Sequence, residues 1–297
     1  MANERSAVFV RSQYGVETEH GTEVDCTDMF RALKLTATPK VSTHEVDPGG
    51  LFPTGYALGK EWTECKAEGV PSYEEIALVM QSLLCEPAAG VYNPKNGTEN
   101  SYESYSIAIG TSGACEKFTG AAFTGVTLKY TPDELTIDAD IIGGRITAGT
   151  WVSGATEGDI TPILGGQCHV ELSGATQDRV ISADWALTGR WKPFYALKGS
   201  NTITAMVEGK PDGSIKVVCE ADTQGLAHLT RLRDTNATVA FALKATDGGS
   251  NTFDLECATQ VKDLDAFEIS DTTYNIGYTL GIVYSSTLGY AVKATIT

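Results

Sequence analysis

Apolar and polar residues alternate with a period of two along much of this chain. The alternation runs through Leu33–Thr36, Ser106–Ile109, Val126–Tyr130 and Leu135–Ile141 in the first half. In the second it runs through His169–Leu172, Ile203–Val207, Ile215–Cys219, Val239–Leu243 and Tyr274–Leu280. Period two places one set of side chains in a core and the next set outside, so each stretch predicts a strand. Gly and Asp punctuate the stretches. Lys210-Pro211-Asp212-Gly213 has the residue order of a tight hairpin turn, predicting that the strand at 201–207 folds back onto the strand ending at Cys219.

Two segments carry helical spacing instead. Ser72 to Leu84 opens with Ser72 and Glu75, the capping-box spacing in which each side chain takes one free backbone N–H. Ile76, Val79, Met80, Leu83 and Leu84 then form one apolar stripe, and Pro87 ends it. The second helix is predicted from Asp222 or Thr223 to Arg233, with Leu226, Leu229 and Leu232 on one side. Arg231 and Arg233 sit in its last turn, where positive charge suits the helix dipole.

The helices expose an organisation. Each follows a pair of strands joined by a loop, and each precedes another strand pair. Leu135, Ile137, Ala139 and Ile141 in the first half mirror Tyr274, Ile276, Tyr278 and Leu280 in the second, each set following a turn that contains an aspartate (Asp133, Asp271). This pattern predicts a mainly β protein built as a diverged tandem duplication, residues 1–150 and 151–297. Each half would be a β-sandwich or curled sheet with one packed helix. The small, polar stretch Gly149–Asp159 reads as the linker.

Composition narrows the function. Among 297 residues, 38 acidic against 22 basic side chains give a net charge of −16. A surface that grips nucleic acid or an anionic membrane is basic, so neither is expected as a tightly bound partner. Seven scattered cysteines without a CxxC pair argue against a disulfide framework and against a zinc site. The first residues show no secretory h-region, and no apolar run is long enough to span a bilayer, so a soluble protein made in the cytoplasm is expected.

Catalytic patterns are missing from the sequence. His20, His44, His169 and His228 form no metal-ligating pair, and no GxSxG elbow, P-loop or GxGxxG occurs. Asp138 and Asp140, two apart, share one strand face. Calcium would need six to eight oxygens that no flanking loop supplies, so an acidic rung facing solvent or a lumen is expected. Asn96-Gly97-Thr98 and Asn236-Ala237-Thr238 mark turns. The expectation is a protein that is not an enzyme and takes no cofactor or metal.

Two loops are unusual. Ser42–Gly59 carries Leu51, Phe52 and Tyr56, and Gly189–Ser200 carries Arg190, Trp191, Phe194, Tyr195 and Leu197 among Pro and Gly. Loops are normally polar, whereas aromatics beside Arg or Lys are the usual anchors of protein–protein contacts. If these residues dock on a neighbour, truncating Trp191 or Phe52 impairs assembly more than folding. If they fold back as a lid on their own sheet, it impairs folding.

The chain resembles the major tail tube proteins of siphophages, from about residue 30 to the end. The matching stretches are Arg31 to Lys40, Gly59 to Trp62, Glu68 to Ile76, Asp138 to Arg145, Arg190 to Tyr195 and Val207 to Ser214. The resemblance lies in their order and texture. It implies two tandem tail-tube-like β-sandwich or barrel domains in a structural virion protein of the phage tail, assembled in the host cytoplasm. Inner strands of neighbouring subunits would join into a continuous barrel, rings would stack, and DNA would pass through the lumen without specific binding. The inter-ring docking residues would be Leu51, Phe52, Tyr56, Arg190, Trp191, Phe194 and Tyr195, with Asp138 and Asp140 in an acidic lumen. Two domains per chain imply a homotrimer with pseudo-sixfold symmetry, a hexamer of whole chains being the second choice. Tape measure, tail terminator and baseplate proteins would be the other partners.

Two further classes compete. A carbohydrate-binding or adhesin-like β-sandwich would use exposed Trp and Tyr to stack on sugars, and predicts a monomer with a ligand. A glycosidase would need its two carboxylates on opposite sides of a cleft, which same-face positions on one strand suit poorly.

Overall fold

The computed structural model describes residues 10–47, 49, 52, 54–197, 201–223, 226, 230, 233, 237–265, 267–270 and 273–297. The predicted strand stretches lie in strands, except that Ile203 and Thr204 precede the strand that starts at Ala205. The first half contains β1 (Arg11–Val16), β2 (Asp28–Phe30), β3 (Leu33–Val46), β4 (Gly55–Gly69), α1 (Tyr73–Leu83), β5 (Val91–Tyr92), β6 (Tyr105–Thr111), β7 (Ala114–Tyr130), β8 (Leu135–Gly143) and β9 (Thr147–Gly149). The second half opens with β10 (Cys168–Leu172), β11 (Ala175–Thr176), β12 (Val180–Thr188), β13 (Trp191–Phe194), β14 (Ala205–Glu208) and β15 (Asp212–Glu220). It continues with β16 (Val239–Thr246), β17 (Thr252–Leu264), β18 (Glu268–Ser270), β19 (Thr273–Ile282) and β20 (Val292–Ile296). The fold is mainly β, with all but the β13–β14 ribbon in one large antiparallel sheet.

The same pairing order occurs twice. In the first half it runs β3-β4-β8-β7-β6-β1-β2, and in the second β12-β15-β19-β17-β16-β10-β11. The long strands β7 and β17 each change partners midway. The start of β7 lies between β6 and β9, and its end pairs β8. The start of β17 lies between β16 and β20, and its end pairs β19. Both carry a bulge where they turn onto the second partner, at Thr124 in β7 and at Lys262 in β17. A bulge bends its strand and increases the local twist, which lets one strand serve two stretches of sheet.

The halves are joined directly. The end of β7 pairs along its other edge with β12, Val126 opposite Leu187, Leu128 opposite Trp185 and Tyr130 opposite Ala183. These six side chains are buried in a hydrophobic cluster that runs through both halves. At the rim, β5 of the first half adds to β20 of the second. The stretch Gly149–Asp159 is no free tether. Gln13 exchanges hydrogen bonds with the backbone of Val152, Thr156 pairs with Thr27 and Met29, and the Arg31 guanidinium donates to the Gly158 carbonyl.

α1 starts where the capping residue predicts, with the Ser72 hydroxyl accepting from the Glu75 N–H at 3.1 Å. The other half of the expected box does not form. The Glu75 carboxylate, buried, accepts from the backbone N–H groups of Arg31, Ala32 and Leu33 instead. It ties the helix start to the turn between β2 and β3, which needs three acceptors where the helix needs one. Ile76, Val79, Met80, Leu83 and Leu84 are fully buried. The Ser82 hydroxyl accepts from the Phe123 N–H at 3.0 Å, beside the β7 bulge. The second predicted helix falls largely outside the described residues. Of it, Thr223, Leu226, Thr230 and Arg233 are helical.

The hairpin expected at Lys210–Gly213 is absent. β14 pairs with β13, and β15 pairs with β12 and β19, so the Pro-Asp-Gly segment turns a corner between two sheets.

Candidate functional site

The segment Ser42–Gly59, expected as a loop, is mostly an extension of β3 and β4. The strands stay paired out to Val46 and Gly55, with a register shift beside Ser42 whose hydroxyl accepts from the Lys60 N–H at 2.7 Å. A two-stranded arm therefore projects from the sheet edge. Its side chains are apolar yet exposed: Phe52 is 78% and Tyr56 66% accessible, and Leu58, Val41 and Val46 are also exposed. Leu51 lies outside the described residues.

The second loop is the β13–β14 ribbon, and its residues divide into two groups. Trp191, 3% accessible, lies under the ribbon against α1. Its indole N–H donates to the carbonyls of Ser82 (2.9 Å) and Leu83 (3.1 Å). These are carbonyls of the last helical turn, which have no acceptor role left inside the helix. Arg190, also buried, donates to the Leu84 carbonyl at 3.3 Å and pairs with Glu208 at 2.5 Å, clamping β13 to β14. The guanidinium and the Asn100 amide hold the Glu208 carboxyl below the usual range against the opposing effect of burial. Arg190 and Trp191 thus form the root of the ribbon, inside the chain. Phe194, 50% accessible, and the fully exposed Leu197 lie toward its end, with Val207 exposed beside them.

The two loops touch. Lys60 of the first arm stands over the Tyr195 ring at 4.6 Å, and the Glu61 N–H donates to the Asn201 carbonyl at 2.9 Å. An ammonium over an aromatic face is an attractive contact. Two aromatic loops whose tyrosines, Tyr56 and Tyr195, are 139 residues apart in sequence thus touch through Lys60 and Glu61.

Asp138 and Asp140 lie on the exposed face of β8, as their spacing predicts. Lys66 of β4 sits between them, 3.3 Å from Asp138 and 3.9 Å from Asp140, and its ammonium is held above its ordinary pKa by hydrogen bonding and charge from these two aspartates. The same face carries Glu64, Glu68 and Asp184 but also Lys34, Lys129 and Lys216. The pairing of Lys66 makes this face mixed in sign, with Thr, Ser and Gly between the charges.

Among the described residues no group of three or more His, Cys, Asp or Glu could hold a metal, and no helix is long and apolar enough to cross a membrane. The seven cysteines are unpaired and all but Cys168 are buried. Burial pushes the Cys26 and Cys219 thiols up to about 11 and Cys65, Cys168 and Cys257 to about 12, so they pack as small apolar groups. Burial lowers the His20 pKa, and its ring contacts the Tyr102 hydroxyl at 3.0 Å; His228 lies outside the described residues.

One functional feature carries no sequence motif. Within the chain, the sheet β3-β4-β8-β7-β12-β15-β19-β17 ends at β3 on one side and at the last residues of β17 on the other, and among the described strands nothing pairs with either outer edge. Unpaired edges invite another chain. No protein-family model matches this chain, and no curated protein matches it in sequence.

Proposed function

We propose that the chain is a structural subunit that joins copies of itself edge to edge into a ring, and that such rings stack into a tube. This is the role of the major tail tube subunit of a siphophage, the family that the sequence resembles. On this reading residues 1–150 and 151–297 are the two tail-tube-like domains of a diverged duplication. Three chains make a ring of six similar units, and DNA passes through the lumen.

The observation that carries the reading is the repeated strand order joined edge to edge through β7 and β12, which leaves two complementary open edges on one chain. A contact between different patches on successive copies closes into a ring when the rotation fits. The exposed apolar side chains of the two loops, Phe52 and Tyr56 on one and Phe194 and Leu197 on the other, are the natural stacking elements, since large exposed apolar groups are the usual anchors of a contact with another protein. A lumen face of mixed charge and small side chains offers phosphates no cluster of free cations to bind.

Electron microscopy of concentrated purified protein, with end-on class averages, tests this. Hollow rings with six domain-sized lobes are expected, with a mass per ring of three chains. Discrete monomers at every concentration and salt, together with binding on a glycan array, would replace it with the carbohydrate-binding reading.

A further inference from the structure

The junction inside the chain is a template for the junction between chains. The two repeats can be matched through their pairing registers. The bulge after Phe123 lies opposite Ile141 and the bulge after Val261 opposite Leu280, which matches β7 with β17 and β8 with β19. Ile141 pairs with Cys65 and Leu280 with Ile215, which matches β4 with β15. Cys65 pairs with Ala37 and Ile215 with Trp185, which matches β3 with β12. On this matching Pro39 stands for Leu187, Thr38 for Ala186, Leu264 for Val126 and Asp265 for Thr127. The Asp265 N–H bonds the Gly277 carbonyl as this matching requires, because Thr127 pairs with Asp138.

We propose that β3 of one copy pairs antiparallel with the end of β17 of the next, in the register of β12 on β7: Pro39 opposite Leu264 and Thr38 opposite Asp265. One step further along, Lys40 meets Asp263. The inference deepens the ring-forming reading and rests on it.

Burial supports the assignment. At the internal junction Val126, Trp185 and Leu187 are all buried. Their counterparts at the open edges, Leu264, Ala37 and Pro39, are part-exposed or exposed, as is Val261, the counterpart of the fully buried Phe123. Ala37, Val261 and Leu264 already pack against the core cluster from its margin. A second copy in the template register would complete their cover. Charge agrees as well. The internal junction sets Asp184 against Lys129, and the proposed one sets Lys40 against Asp263, which is exposed. Opposite charges directly across an antiparallel pair are favourable and like charges are not.

Cysteine cross-linking tests the register. The Lys40→Cys/Asp263→Cys double variant, oxidised under assembly conditions, is expected to give a non-reducing ladder of covalent oligomers that ends at the ring number, three. Either single variant should give no ladder. Thr36→Cys/Asp263→Cys, displaced by four residues or about 13 Å at about 3.3 Å per residue, should give none either. Electron microscopy of the same samples separates the two levels of the argument. Rings or tubes without the Lys40–Asp263 cross-link, or with the displaced one, overturn this register and leave the tube reading standing. Monomers without any cross-link overturn both. A charge swap provides an independent arm: Lys40→Glu should abolish ring formation and Lys40→Glu/Asp263→Lys should restore it. Failure of the swap to restore rings while both variants stay folded by circular dichroism counts against the pairing.

Discussion

Trp191 shows how a residue that reads as a docking anchor becomes a folding residue once its surroundings are known. The side chain is 3% accessible, packs on Tyr102 with ring centroids 4.5 Å apart, and donates to two carbonyls at the end of α1. Truncating a buried Trp to Ala costs roughly 3–5 kcal/mol in lost transfer energy and cavity. The two carbonyls lose their donor, which adds about 1 kcal/mol. Trp191→Ala should therefore destabilise the chain by about 4–6 kcal/mol. Trp191→Phe keeps most of the ring and loses the N–H, and should cost about 1–2 kcal/mol. Urea unfolding followed by far-ultraviolet circular dichroism measures both. With a slope of about 3 kcal/mol/M, the Ala variant should lose more than 1 M in midpoint. An Ala variant within about 1 kcal/mol of the parent at unchanged slope would refute the argument, because a well-packed indole cannot be removed at that cost.

Phe52→Ala and Tyr56→Ala should leave the urea midpoint within about 0.5 kcal/mol of the parent, as surface changes do, while slowing or abolishing tube growth in a sedimentation assay. A large loss of stability would mean that the arm packs on its own chain. Glu75→Ala removes the acceptor of three backbone N–H groups in the turn between β2 and β3, that of Leu33 buried and those of Arg31 and Ala32 part-buried. At about 1–3 kcal/mol for a buried donor left unsatisfied, it should cost at least about 1 kcal/mol by the same assay, and a near-neutral result would mean that water takes the place of the carboxylate. Glu171, hydrogen-bonded by Lys244, has a carboxyl held below its ordinary pKa. A depressed folded-state pKa gives stability that is present above the unfolded value of about 4.3 and is lost as the pH falls through the folded one. Glu171→Gln should thus cost up to about 1 kcal/mol at pH 7 and converge with the parent as the pH falls through the folded-state pKa; a gap that persists in acid would assign the effect to packing.

Much of the fold is legible in the sequence. Period-two runs such as Leu135–Ile141 mark strands because the pleat itself has that period, and Ile76, Val79, Met80 and Leu83 mark a helix for the same local reason. The exposed placement of Asp138 and Asp140 followed from their spacing alone. What failed to read was the choice of partners. Glu75 has the spacing of a capping box, yet its carboxylate serves a turn 42 to 44 residues away. Lys210–Gly213 has the residues of a hairpin turn, but β15 takes β12 and β19 as neighbours and the turn becomes a corner. Trp191 looks like an exposed loop aromatic because its acceptors are 108 and 109 residues distant.

By itself, then, the sequence determined where the period-two strands and the first helix form, which face of each is apolar, and that the chain carries a net charge of −16, all of which depend on residues within a few positions or on a sum over the chain. Only the tertiary structure decided which strand edges are joined and which are left open, which aromatics are roots and which project, and that Lys66 offsets the charge of the acidic pair. Those outcomes depend on hydrogen-bond donors, acceptors and apolar surfaces that meet from far apart, and a buried group must find its partner wherever the fold supplies one.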